Sequence, residues 1–191
     1  MLKRMVRTQH PLAAALPFAQ DDDAPFEDVV EVLNYALTLE HLEATFYRMG
    51  MEQFADADYV ALGYQPGVRE YVGLIGEHEA THVETLTGVI SDLDGEPVEE
   101  AEYDFGFTDL TTFLATAAAV ENLGVAAYTG AAQFLIEEDG LLTAALTIHG
   151  NEARHAAYLN IVTGSSPFPE AFDAPSTPDE VLEIAGPFIT G

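Results

Sequence analysis

Two Glu-x-x-His motifs stand 73 residues apart in this chain, Glu79 with His82 and Glu152 with His155. Residues three apart on a helix lie on one side of it. Each motif therefore sends a carboxylate and an imidazole toward a common point. Two single glutamates complete a repeated series. Glu40 precedes Tyr47 by seven residues, and Glu121 precedes Tyr128 by seven. Four carboxylates and two imidazoles can hold two divalent cations, with some carboxylates bridging them. Four negative charges then balance two divalent ions. Tyr47 and Tyr128, two turns on from Glu40 and Glu121, are placed to hydrogen-bond ligand carboxylates from behind.

These residues interrupt four otherwise apolar seams. The first reads Val30, Leu33, Leu37, Glu40, Ala44, Tyr47, and the second Val72, Ile75, Glu79, His82, Leu86, Val89, Leu93. The third reads Leu110, Leu114, Ala117, Glu121, Gly124, Tyr128, Ala131, Leu135, and the fourth Leu141, Ala145, Ile148, Glu152, His155, Leu159, Val162. Steps of three and four mark the buried stripe of a bundled helix. A carboxylate on such a stripe faces the interior, where an unpartnered negative charge is very costly. None of the six Lys and Arg lies on these stripes. Metal cations are the simplest partners left.

The elements that carry the motifs follow from the punctuation. Helix one is predicted over 25–48, helix two over 67–93 and helix three from the N-cap Thr108 to 137. An Asp139-Gly140 turn leads into helix four, which ends near 164. The connections 49–66 and 94–107 are long, the first with a short helix near 51–62. No segment reads as a strand. The fold class is all-α, two helical hairpins joined by a long crossover in a four-helix bundle over 25–164. Residues 1–24 form a basic tail or a degenerate export signal. Residues 165–191 form a Pro-rich tail with one short helix, capped by Thr177 with Pro178 at its first position.

The net charge is −27, and three of the six basic residues (Lys3, Arg4 and Arg7) lie in the first seven positions. Such a surface repels nucleic acid and anionic lipid, so neither is expected as a partner. At molar salt the screening length falls to about 3 Å, which points to a halophilic setting. The chain has no Cys. That excludes disulfides, iron–sulfur clusters and thiolate metal sites, leaving oxygen and nitrogen ligands. No apolar run approaches the roughly 20 residues that span a bilayer. The stretch Leu12 to Ala19 resembles a signal but is short and broken by Pro17. Cytoplasmic location is expected, with export the alternative.

Three segments carry a resemblance to a known group: Thr38-Leu-Glu-His-Leu-Glu-Ala-Thr-Phe-Tyr47, Glu77-His-Glu-Ala-Thr-His82 and Asn151-Glu-Ala-Arg-His155. They resemble the ferritin-like superfamily, most nearly its stress- and desiccation-related proteins, with rubrerythrin more distant. The resemblance covers roughly 26–163. It implies a ferritin-like bundle with a dinuclear centre of iron, or of manganese, that reacts with oxygen or peroxide. Its implied ligands here are Glu40, Glu79, His82, Glu121, Glu152 and His155. The chain lacks the cysteine-rich module of rubrerythrin, so any electron donor is external. A homo-oligomer is compatible with the sequence.

Some neighbours invite other readings. Glu43 lies beside Glu40, either as an extra ligand, as an acceptor behind the ligands, or as a solvated side chain. His149 sits one turn before Glu152 and either hydrogen-bonds it or faces solvent. His41 and His78 fall off the stripes and are expected at the surface. Arg154 is expected to pair with local acids, and Tyr103, Phe105 and Phe107 to pack the crossover onto the bundle. Three functions fit: a dinuclear oxidoreductase, a non-catalytic stress protein stabilised by the metals, and metal storage.

Overall fold

Asp28 opens the first helix because its carboxylate accepts the Glu31 backbone N–H at 3.0 Å. In the computed structural model, which describes residues 25–190, this helix (α1) spans Val29–Gln53. It starts later and runs longer than expected. Its final carbonyls find a cation: the Arg69 guanidinium donates to Phe54 O at 2.8 Å and Met51 O at 3.0 Å. A short helix, α2 (Asp56–Ala61), fills the connection. Gly67, at φ 95°, then turns the chain into α3 (Val68–Asp92).

The second half repeats this plan. Asp109, rather than Thr108, caps α4 (Leu110–Ala131), exchanging hydrogen bonds with Thr112. A 3-10 segment, Ala132–Leu135, follows. The Asp139-Gly140 pair is the first turn of α5 (Asp139–Val162) rather than a turn before it. Among the described residues no strand forms, and α1 with α3 and α4 with α5 make the two hairpins of an all-α bundle. The hairpins join mainly through α1 and α4, whereas α3 and α5 barely touch.

The crossover runs along the outside of α1. Asn34 donates to Glu96 O and accepts from Val98 N–H. His41, expected at the surface, lies 3.1 Å from Val98 O, and Glu100 accepts from Thr45 and Arg48. Phe105 and Phe107 meet the Phe46 ring edge-on, with centroids 5.1 and 5.4 Å away. The C-terminal tail crosses α4, where Ser176 N–H donates to Ala126 O at 3.1 Å. Helix α6 (Pro178–Ala185) buries Val181 and Ala185. Phe188 and Thr190 then pair with the crossover backbone at Asp104 and Glu102. So α1 and α4 are covered on more sides than a four-helix seam alone would cover.

One consequence concerns membranes. Leu110–Leu135 is long and apolar enough to cross a bilayer, contrary to the sequence reading. Just over half of its apolar window is buried inside the bundle, and it carries the buried Glu121 midway. That apolarity is what the innermost helix of a bundle needs.

Candidate metal centre

All four stripes deliver their polar residues to one place. Glu40 (α1), Glu79 (α3), Glu121 (α4) and Glu152 (α5) are each 0% exposed, and His155 is 5% exposed. His82 is slightly more open. His82 Nδ1 lies 2.9 Å from Glu79, 3.2 Å from Glu40 and 3.3 Å from Glu152. His155 Nδ1 lies 2.8 Å from Glu79, 3.2 Å from Glu121 and 3.9 Å from Glu152.

Two overlapping sets result. One contains Glu40, Glu79, His82 and Glu152, the other Glu79, Glu121, Glu152 and His155, with ligand-capable atoms in each within 4.8 Å of one another. Glu79 and Glu152 belong to both, while Glu40 and Glu121 flank opposite ends. A cluster of this composition can hold metal ions. Its bonding supports that fit. Glu79 Oε1, Glu121 Oε2, both Glu152 oxygens and His155 Nδ1 are buried with no hydrogen-bond partner among the described residues. Several lie close together without hydrogen-bond alignment, as atoms aimed at a shared cation would.

The tyrosines work crosswise. Tyr47 OH donates to Glu121 Oε1 and Tyr128 OH to Glu40 Oε1, each at 2.5 Å. Each half of the repeat therefore braces the carboxylate of the other. Gly76 makes room for Tyr47, since a Cβ there would stand 2.7 Å from the Tyr47 Cβ.

Metal-free, the histidines are the cluster's only cations among the described residues. Burial disfavours charge on His82, but Glu152, Glu40 and Glu79 push its pKa up to about 12. Burial is likewise outweighed at His155 by Glu121 and Glu79, giving about 9. Burial raises Glu40 to about 7, with His82 opposing it. Glu79 goes the other way: burial is overcome by His155 and His82, which bring it to about 2. Burial raises Glu121 as well. Glu152 is raised further, by burial and then by the Glu121 charge.

Four sequence readings need correction. Glu43 is not solvated: it is 3% exposed, and its carboxylate faces Gly124 beside Glu152. Burial and then the Glu152 charge hold its pKa well above the ordinary value. Gly124 occupies the place in the second half that Glu43 occupies in the first, and a Cβ there would come within 3.1 Å of Glu43 Oε1. Nor is His78 a surface residue. Its ring stacks on His155 with centroids 5.2 Å apart, and its Nδ1 lies 2.9 Å from His155 Nε2. Asn151 Nδ2 is 2.8 Å from the same Nε2. The signal for His78 was its place one turn from His82 and beside Glu79. His149 contacts Thr129 Oγ1 at 3.0 Å rather than Glu152. Arg154 donates to Gly150 O instead of pairing with an acid.

Comparison with known proteins agrees with this architecture. The family model described as the ferritin-like domain matches residues 28–165. Protein rds1 of Schizosaccharomyces pombe (strain 972 / ATCC 24843) is 25% identical over 170 residues. That match takes in 87% of this chain but 41% of the relative, so the chain spans less than half of that protein's length.

Proposed function

This chain belongs to the ferritin-like domain family, and we propose that its buried cluster holds two divalent metal ions, iron or manganese, that react with dioxygen or peroxide. The observation that carries the reading is the pair of four-residue sets sharing Glu79 and Glu152. Glu40, Glu79, His82, Glu121, Glu152 and His155 are the proposed ligands. The bound pair supplies two-electron redox chemistry, with iron and manganese both suited to hard oxygen ligands.

The chain's own residues prepare the site. Tyr47 and Tyr128 fix the rotamers of Glu121 and Glu40. His82 and His155, whose pKa values the cluster carboxylates raise, would have to give up protons to hold the metals. His155 Nε2 then lies 2.9 Å from His78 Nδ1 and 2.8 Å from the Asn151 amide nitrogen, a polar cluster that orients its ring. Burial, then the neighbouring His155, keeps the His78 pKa below its ordinary value, which favours a neutral ring. Glu43 keeps a proton on its carboxyl beside Glu152. A polar opening between α3 and α5, rimmed by His78, Thr81, His82, Thr85 and Asn151, reaches the cluster at His82.

The test is to purify the protein, count metals, add ferrous iron anaerobically, and then follow oxidation on adding dioxygen or hydrogen peroxide. Two metals per chain with repeated turnover in the presence of an external reductant supports the reading. Metals without turnover would leave only a stabilising role, and uptake of many irons per chain would indicate storage. A stress role in a salty or dry setting accords with the acid excess. Unchanged melting between 0.1 M and molar salt would count against that setting.

A further inference from the structure

A second cavity lies directly beneath the carboxylate cluster, on the bundle axis, with a volume of about 30 Å³. Its walls come from the same four helices, one turn along from the cluster. Ala36 precedes Glu40 by four residues, Leu86 follows His82 by four, and Ile148 precedes Glu152 by four. Tyr128 closes the cluster side, and its hydroxyl is already committed to Glu40. Leu33 and Ala145 line the same space. Thr85 and Ile148 line both this space and the polar opening between α3 and α5.

A buried water needs two to four polar partners, and an apolar cavity without them stays dry and takes apolar gases. Hydrogen peroxide, with two hydroxyl groups to satisfy, is disfavoured there for the same reason. The space suits a molecule of about two heavy atoms. We propose that this cavity is a holding chamber for dioxygen, on the apolar side of the wall (Thr85 and Ile148) that it shares with the polar opening rimmed by His78 and Asn151. The assignment rests on the dinuclear reading of the neighbouring site and narrows its oxidant to dioxygen delivered from the apolar side.

Xenon is the probe, because its uptake needs no metal. Metal-free protein under xenon pressure should show xenon in this cavity, by anomalous diffraction or by xenon NMR. Ala145→Leu, which fills the space, should abolish that signal. Ala132→Leu, entering from the 3-10 segment after α4, provides a second block should the first variant fold poorly. In iron-loaded, reduced protein the filled variant should react severalfold more slowly with dioxygen and at an unchanged rate with hydrogen peroxide. No xenon in the wild-type cavity, or equal slowing with both oxidants, overturns the chamber. A chain that takes up no iron sinks the dinuclear reading instead, and the xenon result then decides the chamber by itself.

Discussion

The Tyr128 hydroxyl donates to Glu40 Oε1 at 2.5 Å, across 88 residues of sequence. Its counterpart Tyr47 does the same for Glu121. The tyrosines thus tie the two hairpins together at the carboxylates that flank the cluster. Removing one hydroxyl should free a ligand rotamer without emptying the site. Tyr128→Phe is expected to weaken metal binding by roughly 10- to 100-fold, measured by competition with a chelator. Affinity equal to wild type would mean that Glu40 is held by other means.

The metal-free protein should lose stability as pH rises. Glu40, at about 7 against an ordinary 4.5, and His155, at about 9 against 6.5, both favour the protonated form when folded. Each contribution is complete below the ordinary value and is lost as pH climbs through the folded one. Melting temperature should therefore fall between pH 4.5 and about 7 through Glu40, and between 6.5 and about 9 through His155. Glu79, lowered to about 2, acts oppositely, contributing above 4.5 and losing that contribution as pH falls toward 2. Metal affinity should rise over the neutral range, since ions displace protons from the histidines. A metal-free melting curve that is flat from pH 5 to 9 would refute the proton assignment.

Glu43 supplies an independent check on burial. Its raised pKa means that ionising it at neutral to alkaline pH works against the fold. Glu43→Gln keeps the shape and removes that cost. The variant should melt higher than wild type at pH 8 when metal-free, and the difference should shrink at pH 5. Identical melting at both values would return Glu43 to the solvent.

Two glycines on α3 separate tight from forgiving packing. A Cβ at Gly76 would press on the first side-chain carbon of Tyr47, at 2.7 Å. At Gly73 it would meet the flexible end of Met51, at 2.9 Å. Gly76→Ala should destabilise by about 1–3 kcal/mol through overpacking, whereas Gly73→Ala should cost little. Chemical denaturation of both variants decides this. Equal effects would mean that α3 shifts freely on α1.

The six clustered residues were legible because spacing on a helix dictates direction. Glu79 and His82 cannot be three apart on a buried stripe without converging. The repeat Glu40/Tyr47 and Glu121/Tyr128 was legible too, but the cross-pairing was not, because it depends on how the hairpins meet. Glu43 stayed open among three readings for a related reason. A seam of threes and fours assigns one buried face, yet α1 is also covered by the crossover from Glu96 to Phe107. Its buried arc is therefore wide enough to include Leu39, Leu42, Glu43 and Phe46. His78 was missed because α3 and α5 leave a gap there that a neighbouring histidine ring fills.

Metal stoichiometry in a paired set of variants tests the central claim most directly. Elemental analysis should find two iron or manganese ions per wild-type chain. Glu79→Ala removes a residue common to both four-residue sets and should abolish loading of the pair, whereas Glu40→Ala touches one set and should leave about one ion. Glu77, exposed on the opposite face of α3, should be dispensable. A wild-type chain that binds no metal, or equal loss in Glu77→Ala and Glu79→Ala, would contradict a dinuclear centre at this cluster.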